Sequence, residues 1–337
     1  MNIRDRSAIH HTAGQSLRNA KGNPKRILLI YLGIVTALSL AVVALSTILG
    51  NRIADTGGLS NMGLRSVLST AKAVLPLIQS LIFLGLEMGY CTMALRICRG
   101  EPVSEQTLWG GFRRFFPLLR AQLLLGFLYF GVALLAVYPS AYIFLMLPMS
   151  AEFYEVISPL MDSAAAQGAN FVVDDATILA ASDAMQPMLW IFALLFLLLF
   201  IPMHYRYRMV TYRLIDQTRP GALRAMHESR MMMRRNRFAL FRLDLQFWWF
   251  YLLQALTMAV CYGDMLLPML GVTFPWSDTV SYFLFLTLSL ALQFVAYYFF
   301  MNRVAVTYAT AYEALQPQQQ KAQDTPQPAT VPWQNQY

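Results

Sequence analysis

The chain is short of charge, of cysteine and of histidine, and each shortage closes off a class of explanation. Charged residues fill 13% of its 337 positions, while hydrophobic residues fill 57%; an average soluble domain carries about 25% charge. Mean hydropathy is +0.45. So few charges cannot cover a water-facing globular surface, and an integral membrane protein follows. The three cysteines form no CxxC pair. Cys91 and Cys98 belong to the cytoplasmic end of the second apolar run and Cys261 to the external end of the fifth, so Cys261 cannot reach the other two, and a reducing cytoplasmic side disfavours a disulfide between Cys91 and Cys98. Of the four histidines, His227 with Glu228 lacks the second histidine of a zinc helix, and His10-His11 has no matching ligands. Gly110-Gly111 is no phosphate loop, and no nucleophile stands with a base. The expectation is therefore a non-enzyme with no catalytic residue, no metal and no cofactor.

What the chain does have is long apolar runs. A hydrocarbon core needs about 20 apolar residues, and six runs satisfy it: Ile27 to Leu49, Ala71 to Leu95, Leu118 to Tyr138, Met188 to Met209, Phe241 to Tyr262 and Val280 to Phe300. The expected class is an all-α polytopic membrane helix bundle. The first run is too long for a signal-peptide core and is expected to remain. Residues 1–26 read as a cytoplasmic amphipathic segment, 27–315 as the six-span domain, and 316–337, rich in Gln and Pro, as a disordered cytoplasmic tail.

Basic residues set the orientation. Arg4, Arg6, Arg18, Lys21, Lys25 and Arg26 precede the first run; Arg96, Arg99, Arg113, Arg114 and Arg120 follow the second; the densest group runs from Arg206 to Arg242. The connection 148–187 has no Lys or Arg and carries Glu152, Glu155, Asp162, Asp174, Asp175 and Asp183, and the connection after Tyr262 has only Asp264 and Asp278. Arg52 and Arg65 are the exceptions. By the positive-inside rule both termini are cytoplasmic and 148–187 is an external acidic loop. This asymmetry accounts for the net charge of +8 without a nucleic-acid partner.

Each odd-numbered run follows an amphipathic lead-in segment, Ser7 to Arg26, Ser104 to Arg120 and Gly221 to Arg242, and each even-numbered run ends in a polar, often tyrosine-rich helical exit. Three repeated hairpins result. Aligning Thr92, Thr211 and Thr307 brings Glu87, Arg206 and Asn302 to one depth. With His204 and Arg303 these form a candidate intramembrane polar cluster, since charge within a bilayer is expensive. Glu87 lies inside Gly85-Leu-Glu-Met-Gly89, whose glycine spacing admits close approach of another helix; a pair with Arg206 would either fix helix register or relay a proton or substrate. Pro76 and Pro202 are expected to bend their spans. In the basic helix 219–242, Leu223, Met226, Met231, Met233, Phe238 and Phe241 alternate with arginines. Arg230, Arg234, Arg235 and Arg237 are the candidate contacts to anionic headgroups.

Two stretches, Ile201 to Asp216 (IPMHYRYRMVTYRLID) and Gly221 to Trp249, carry a family resemblance. Ile201-Pro202 leading into Tyr205 to Met209, Ala225 with Ser229-Arg230, and Leu240 to Phe247 resemble the integral membrane family catalogued as domain of unknown function nine-seven-five. Met203, Arg235 and Trp248 depart from its pattern. The resemblance implies a six-span bacterial inner-membrane protein and brings no activity with it. The function expected is a non-enzymatic scaffold or accessory subunit that engages anionic lipid, a protein partner or a second copy of itself. The alternative is a transporter or conduit, for which Gln79, Gln254 and Gln293 are the main polar residues deep in the spans.

Overall fold

A computed structural model describes residues 5–55, 62–167, 175–217, 221–263, 267 and 278–316. Arg4, Asp174, Arg219, Asp264 and the tail beyond Gln316, all named above, lie outside them. Every regular element among the described residues is helical. They are α1 (Arg6–Arg18), α2 (Pro24–Asp55), α3 (Met62–Cys98), α4 (Glu105–Trp109), a 3-10 turn (Gly110–Arg114), α5 (Phe115–Met146), α6 (Ser150–Gln167), α7 (Asp175–Tyr207), α8 (Val210–Asp216), α9 (Ala222–Met233), α10 (Arg237–Asp244), a second 3-10 turn (Leu245–Phe247), α11 (Trp248–Cys261) and α12 (Asp278–Leu315).

Five helical stretches among the described residues are long and apolar enough to cross a bilayer: Pro24–Ile53, Gly63–Cys98, Glu105–Met146, Ala180–Asp216 and Val280–Leu315. Their sides expose residues that a soluble protein would bury. Phe127 is 73% exposed, Trp190 73% and Leu77 63%, an inverted pattern that hydrocarbon rather than water would satisfy. The fifth expected run differs. Asp244 is buried and accepts a hydrogen bond from the Tyr308 hydroxyl on α12. That bond holds the start of the run in the packed core; the 3-10 turn follows at once, leaving α11 with 14 residues. At 1.5 Å per residue α11 covers about 21 Å, less than a hydrocarbon core of about 30 Å.

The chain divides into two units, residues 1–119 with 209–337, and residues 120–208. In the first unit α2 and α3 form a hairpin, joined midway by a hydrogen bond of 3.0 Å from Gln79 Nε2 to Ser39 Oγ. α11 and α12 form a second, in which Phe250 meets Tyr297 and Phe300, and Gly263 meets Phe285. The fully buried side chains of this unit gather at one end of the helices. Leu86, Met88, Tyr90, Met93, Leu95 and Ile97 of α3 and Val306, Ala309, Ala311 and Tyr312 of α12 are closed off, whereas the stretch of α3 from Gly63 to Ser80 is mostly exposed. α1 packs on α12 and α3 through Ile9 and Ala13. It is thus a connector beneath the helices, capped by Asp5, whose carboxylate accepts from the Ala8 N–H.

Glycine makes this end possible. Gly85 and Gly89 do admit a close neighbour, but the neighbour is the segment that follows α3, from Leu108 to Phe112. A Cβ on Gly89 would overlap the carbonyl of Leu108, and one on Gly111 would overlap the carbonyl of Gly85 and the amide of Gly89. The backbone of the 3-10 turn therefore rests directly on α3. Behind it, Gly100 adopts φ +70°, and the bonds Glu101 N–H to Arg96 O (2.9 Å) and Gly100 N–H to Ile97 O (3.1 Å) close α3 with a Schellman turn.

In the second unit α6 folds against α7, and Phe144 at the end of α5 meets Phe153 of α6 edge-on at 5.8 Å. α6 is one helix with Pro159 inside it, so the acidic connection is largely helical. Pro187 and Pro202 likewise sit within an unbroken α7, as Pro76 does within α3. Phe192, Phe196, Phe200 and His204 stack at four-residue intervals along α7.

The glycine contact yields a direct expectation. Gly111→Ala should destabilise the detergent-solubilised protein by about 1–3 kcal/mol, the cost of overpacking against backbone that cannot give way. Gly110→Ala, which meets no atom within 4 Å, should be near neutral. Thermal unfolding of the two variants side by side checks this.

Candidate functional site

Three helix ends converge in the first unit: the end of α3, the short helix α8 and the end of α12. Arg99, in the turn after α3, binds Asp216 of α8 at 2.8 Å and Glu313 of α12 at 2.7 Å. Burial works against the guanidinium charge, but these carboxylates outweigh it and hold the Arg99 pKa above its ordinary value. Asp216 also accepts from the Tyr312 hydroxyl at 2.7 Å and from Gln316. Tyr212 and Tyr312 stack with centroids 5.3 Å apart, and the Cys98 thiol lies 3.5 Å from the Thr310 hydroxyl.

A second cluster ties α8 to α9. Glu228 accepts from Arg213, from Arg224 at 2.8 Å and from Gln217 at 3.0 Å. Burial acts to raise the Glu228 carboxyl, yet these hydrogen bonds hold it below the usual carboxylate range. α9 is fixed by burying Ala225, Ser229, Met232 and Met233 on one face.

Between the end of α3, the segment Glu101 to Arg114 and α8 lies a cavity of about 760 Å³. Its wall holds four arginines, Arg96, Arg99, Arg113 and Arg114, and two acids, Glu101 and Asp216. The groups differ in what satisfies them. Arg114 Nη1 donates to the carbonyls of Leu214 (2.7 Å), Ile215 and Gln217 (3.0 Å), closing the C-terminus of α8 with neutral acceptors. Arg96 lies 3.4 Å from the Thr107 hydroxyl and 3.8 Å from Glu101. Arg113 is exposed and has no hydrogen bond or ion pair among the described residues. Thr107 Oγ1 accepts from the Ser104 N–H at 3.3 Å, fixing the start of α4. Such a wall favours a small anion.

The residues singled out from sequence are each described within their own unit. Glu87, Asn302 and Arg303 belong to the first unit, His204 and Arg206 to the second. Asn302 is buried, accepts from the Tyr90 hydroxyl at 2.6 Å and donates to the Pro24 carbonyl at 3.4 Å, so it joins α3, α12 and the start of α2. Glu87 and Arg303 are exposed. Arg303 also lies near His10, whose pKa burial and then that charge hold below its ordinary value. His204 pairs with Arg208 at 3.0 Å. Arg230, Arg234 and Arg235 are exposed on α9 and just beyond it, whereas Arg237 is half-buried and its Nε has no hydrogen-bond partner among the described residues. Met233 turns inward because it shares a helical face with Ala225 and Ser229. No group of three or more metal-ligating side chains occurs among the described residues.

Sequence reading missed Arg99, Asp216 and Glu313. A signal existed: each stands five to seven positions beyond one of the aligned threonines, Thr92, Thr211 and Thr307, and their charges are of opposite sign.

These observations define an all-helical protein with membrane-length apolar helices and an arginine-lined cavity at the joined helix ends of one unit. The chain matches the family described as Protein of unknown function (DUF975) over residues 1–318 and belongs to that family. No curated protein and no solved structure matches it.

Glu228 offers a pH test. Its pKa is lower folded than unfolded, so its contribution is fully present above the ordinary carboxylate range and is lost as pH falls through the folded value. Glu228→Gln should cost about 1–3 kcal/mol at pH 7 by leaving Arg213 without its charged partner. The gap between wild type and variant should close as unfolding is followed from pH 7 to below about 4.

Proposed function

We propose that the protein is a non-enzymatic scaffold or accessory subunit of a bacterial inner membrane, and that it engages anionic lipid through α9, α10 and the turn between them. The carrying observation is the mixture of side chains exposed there. Arg230, Arg234, Arg235 and Arg242 reach solvent beside Leu223 (71% exposed), Phe238 (69%) and Leu245 (52%). Arginine at the phosphate level with apolar groups below it matches the two layers of a headgroup interface. Arg6, Arg235 and Arg242 with Phe238 also border a hollow of about 330 Å³, of a size for one headgroup.

A six-span topology of three repeated hairpins, with both termini cytoplasmic, completes the proposal. α11 is short, but its alignment with α12 from Phe250 beside Phe300 to Gly263 beside Phe285 supports a crossing. Without that crossing, the acidic connection after Tyr262 would share a side with the arginine-rich α9, against the charge rule. Single-cysteine labelling of intact cells tests the topology. A cysteine at Asp162 should react without permeabilisation and one at Arg230 only after it; the reverse result overturns the orientation.

Lipid engagement has its own test. Each basic residue near an anionic leaflet is worth about 1 kcal/mol. Replacing Arg230, Arg234 and Arg235 by Gln should therefore reduce the preference for phosphatidylglycerol over phosphatidylcholine by about tenfold or more, with the larger effect at low salt. Native mass spectrometry of wild type and variant reads this out. Equal lipid profiles would leave these arginines as topology determinants alone.

A further inference from the structure

We propose that the cavity between the end of α3, the α4 segment and α8 is a binding site for a compact phosphate-bearing anion, held by Arg96, Arg113 and Arg114. This proposal is independent of the lipid reading above, because the cavity shares no residue with α9 or α10.

The argument is one of unsatisfied donors. A guanidinium offers five N–H groups in a planar fork. Arg99 is taken up by Asp216 and Glu313. Arg114 gives one nitrogen to the end of α8, and only neutral carbonyls receive it. Arg96 has its ion-pair partner Glu101 at 3.8 Å, beyond good hydrogen-bond distance, with both side chains about half exposed. Arg113 has no partner among the described residues. Three guanidinium groups thus share a single loosely held carboxylate. Like charges gathered in this way repel unless an anion joins them, and the fork geometry suits the tetrahedral oxygens of phosphate. Glu101 then acts as an internal stand-in that an incoming phosphate displaces.

The wall is also positioned before any ligand arrives. Gly111 on Gly89 fixes the turn that carries Arg113 and Arg114, and the Schellman turn at Gly100 fixes the approach from Arg96 to Glu101. Preorganisation of this kind lowers the cost of binding. A volume of about 760 Å³ lies within the range of small-molecule pockets, about 300–1,000 Å³. It accommodates either a soluble phosphorylated molecule or the headgroup of a phospholipid.

Calorimetric titration of the detergent-purified full chain distinguishes the two sources. The probes are inorganic pyrophosphate, ADP and dihexanoyl phosphatidic acid below its micellar concentration, with chloride at matched ionic strength as control. Saturable one-to-one binding of at least one phosphate probe is expected. Binding of all three with mutual competition indicates a general phosphate site, binding of pyrophosphate or ADP alone a soluble ligand, and binding of the lipid alone a headgroup. Arg96→Gln with Arg113→Gln should weaken the interaction by about a hundredfold, since hydrogen bonds to charged groups are worth about 1.5–3 kcal/mol each. Arg113→Gln alone changes an exposed residue and should leave thermal stability intact, so its weaker binding, by about tenfold, reports the site and not the fold. Glu101→Gln should tighten binding. The proposal is overturned if no phosphate probe binds saturably, if Arg113→Gln binds as wild type does, or if binding is lost in the Arg230, Arg234 and Arg235 variant instead.

Discussion

Everything at the packed end of the first unit depends on one contact, the seating of the Gly110–Arg114 turn on the glycine face of α3. A side chain at Gly89 or Gly111 would force the turn away from the helix. With the turn in place, Leu108 and Leu118 are buried beside it, and Arg114 reaches the carbonyls of α8. Backbone laid directly on backbone leaves little freedom of position, which is why a short and irregular segment can present charged groups reproducibly. The same spacing that supports helix dimers elsewhere here fastens a helix to the connection that follows it.

The class of fold was legible because its determinant is local. Long apolar runs and sparse charge identify membrane helices one at a time, with no knowledge of what they touch. The lead-in segments were legible in part for the same reason: α1, the α4 turn segment and α9 with α10 lie within the stretches marked as amphipathic, with breaks at 19–23 and 234–236. The fifth run was harder to read. Its hydropathy is continuous, but Asp244 answers to Tyr308, 64 residues away, and a hydropathy window contains no such partner.

The candidate site was only partly legible. Asn302, which the aligned threonines placed with Glu87 and Arg206, is buried and bonded to Tyr90 but does not line the cavity. Arg99, Asp216 and Glu313 did not stand out, because charge at a helix end is ordinary and only convergence makes it informative. Asp216 is 117 residues from Arg99, and Glu313 is 214. Arginines that looked like orientation signals when counted along the chain prove unequal when their partners are known. Arg99 is neutralised twice over, Arg114 serves as a helix clamp and Arg113 stands free among the described residues.

The convergence of helix ends has a consequence for how the molecule is made. Arg99 gains its first carboxylate, Asp216, 117 residues downstream and its second, Glu313, only after 214, and α1 packs on α12, among the last helices of the family match. At synthesis rates of about 5–20 residues per second, an interval of this length lasts roughly 10–40 s. During that time the pairing of Arg99 is incomplete, and the faces of α1 and α3 that α12 covers lack that partner. Residues 120–208 are threaded out as a separate unit in the interim. Completion of the first unit is therefore a late event that reports the arrival of α12, and a nascent chain stalled before it would display the faces of α1, α3 and α11 that α12 covers.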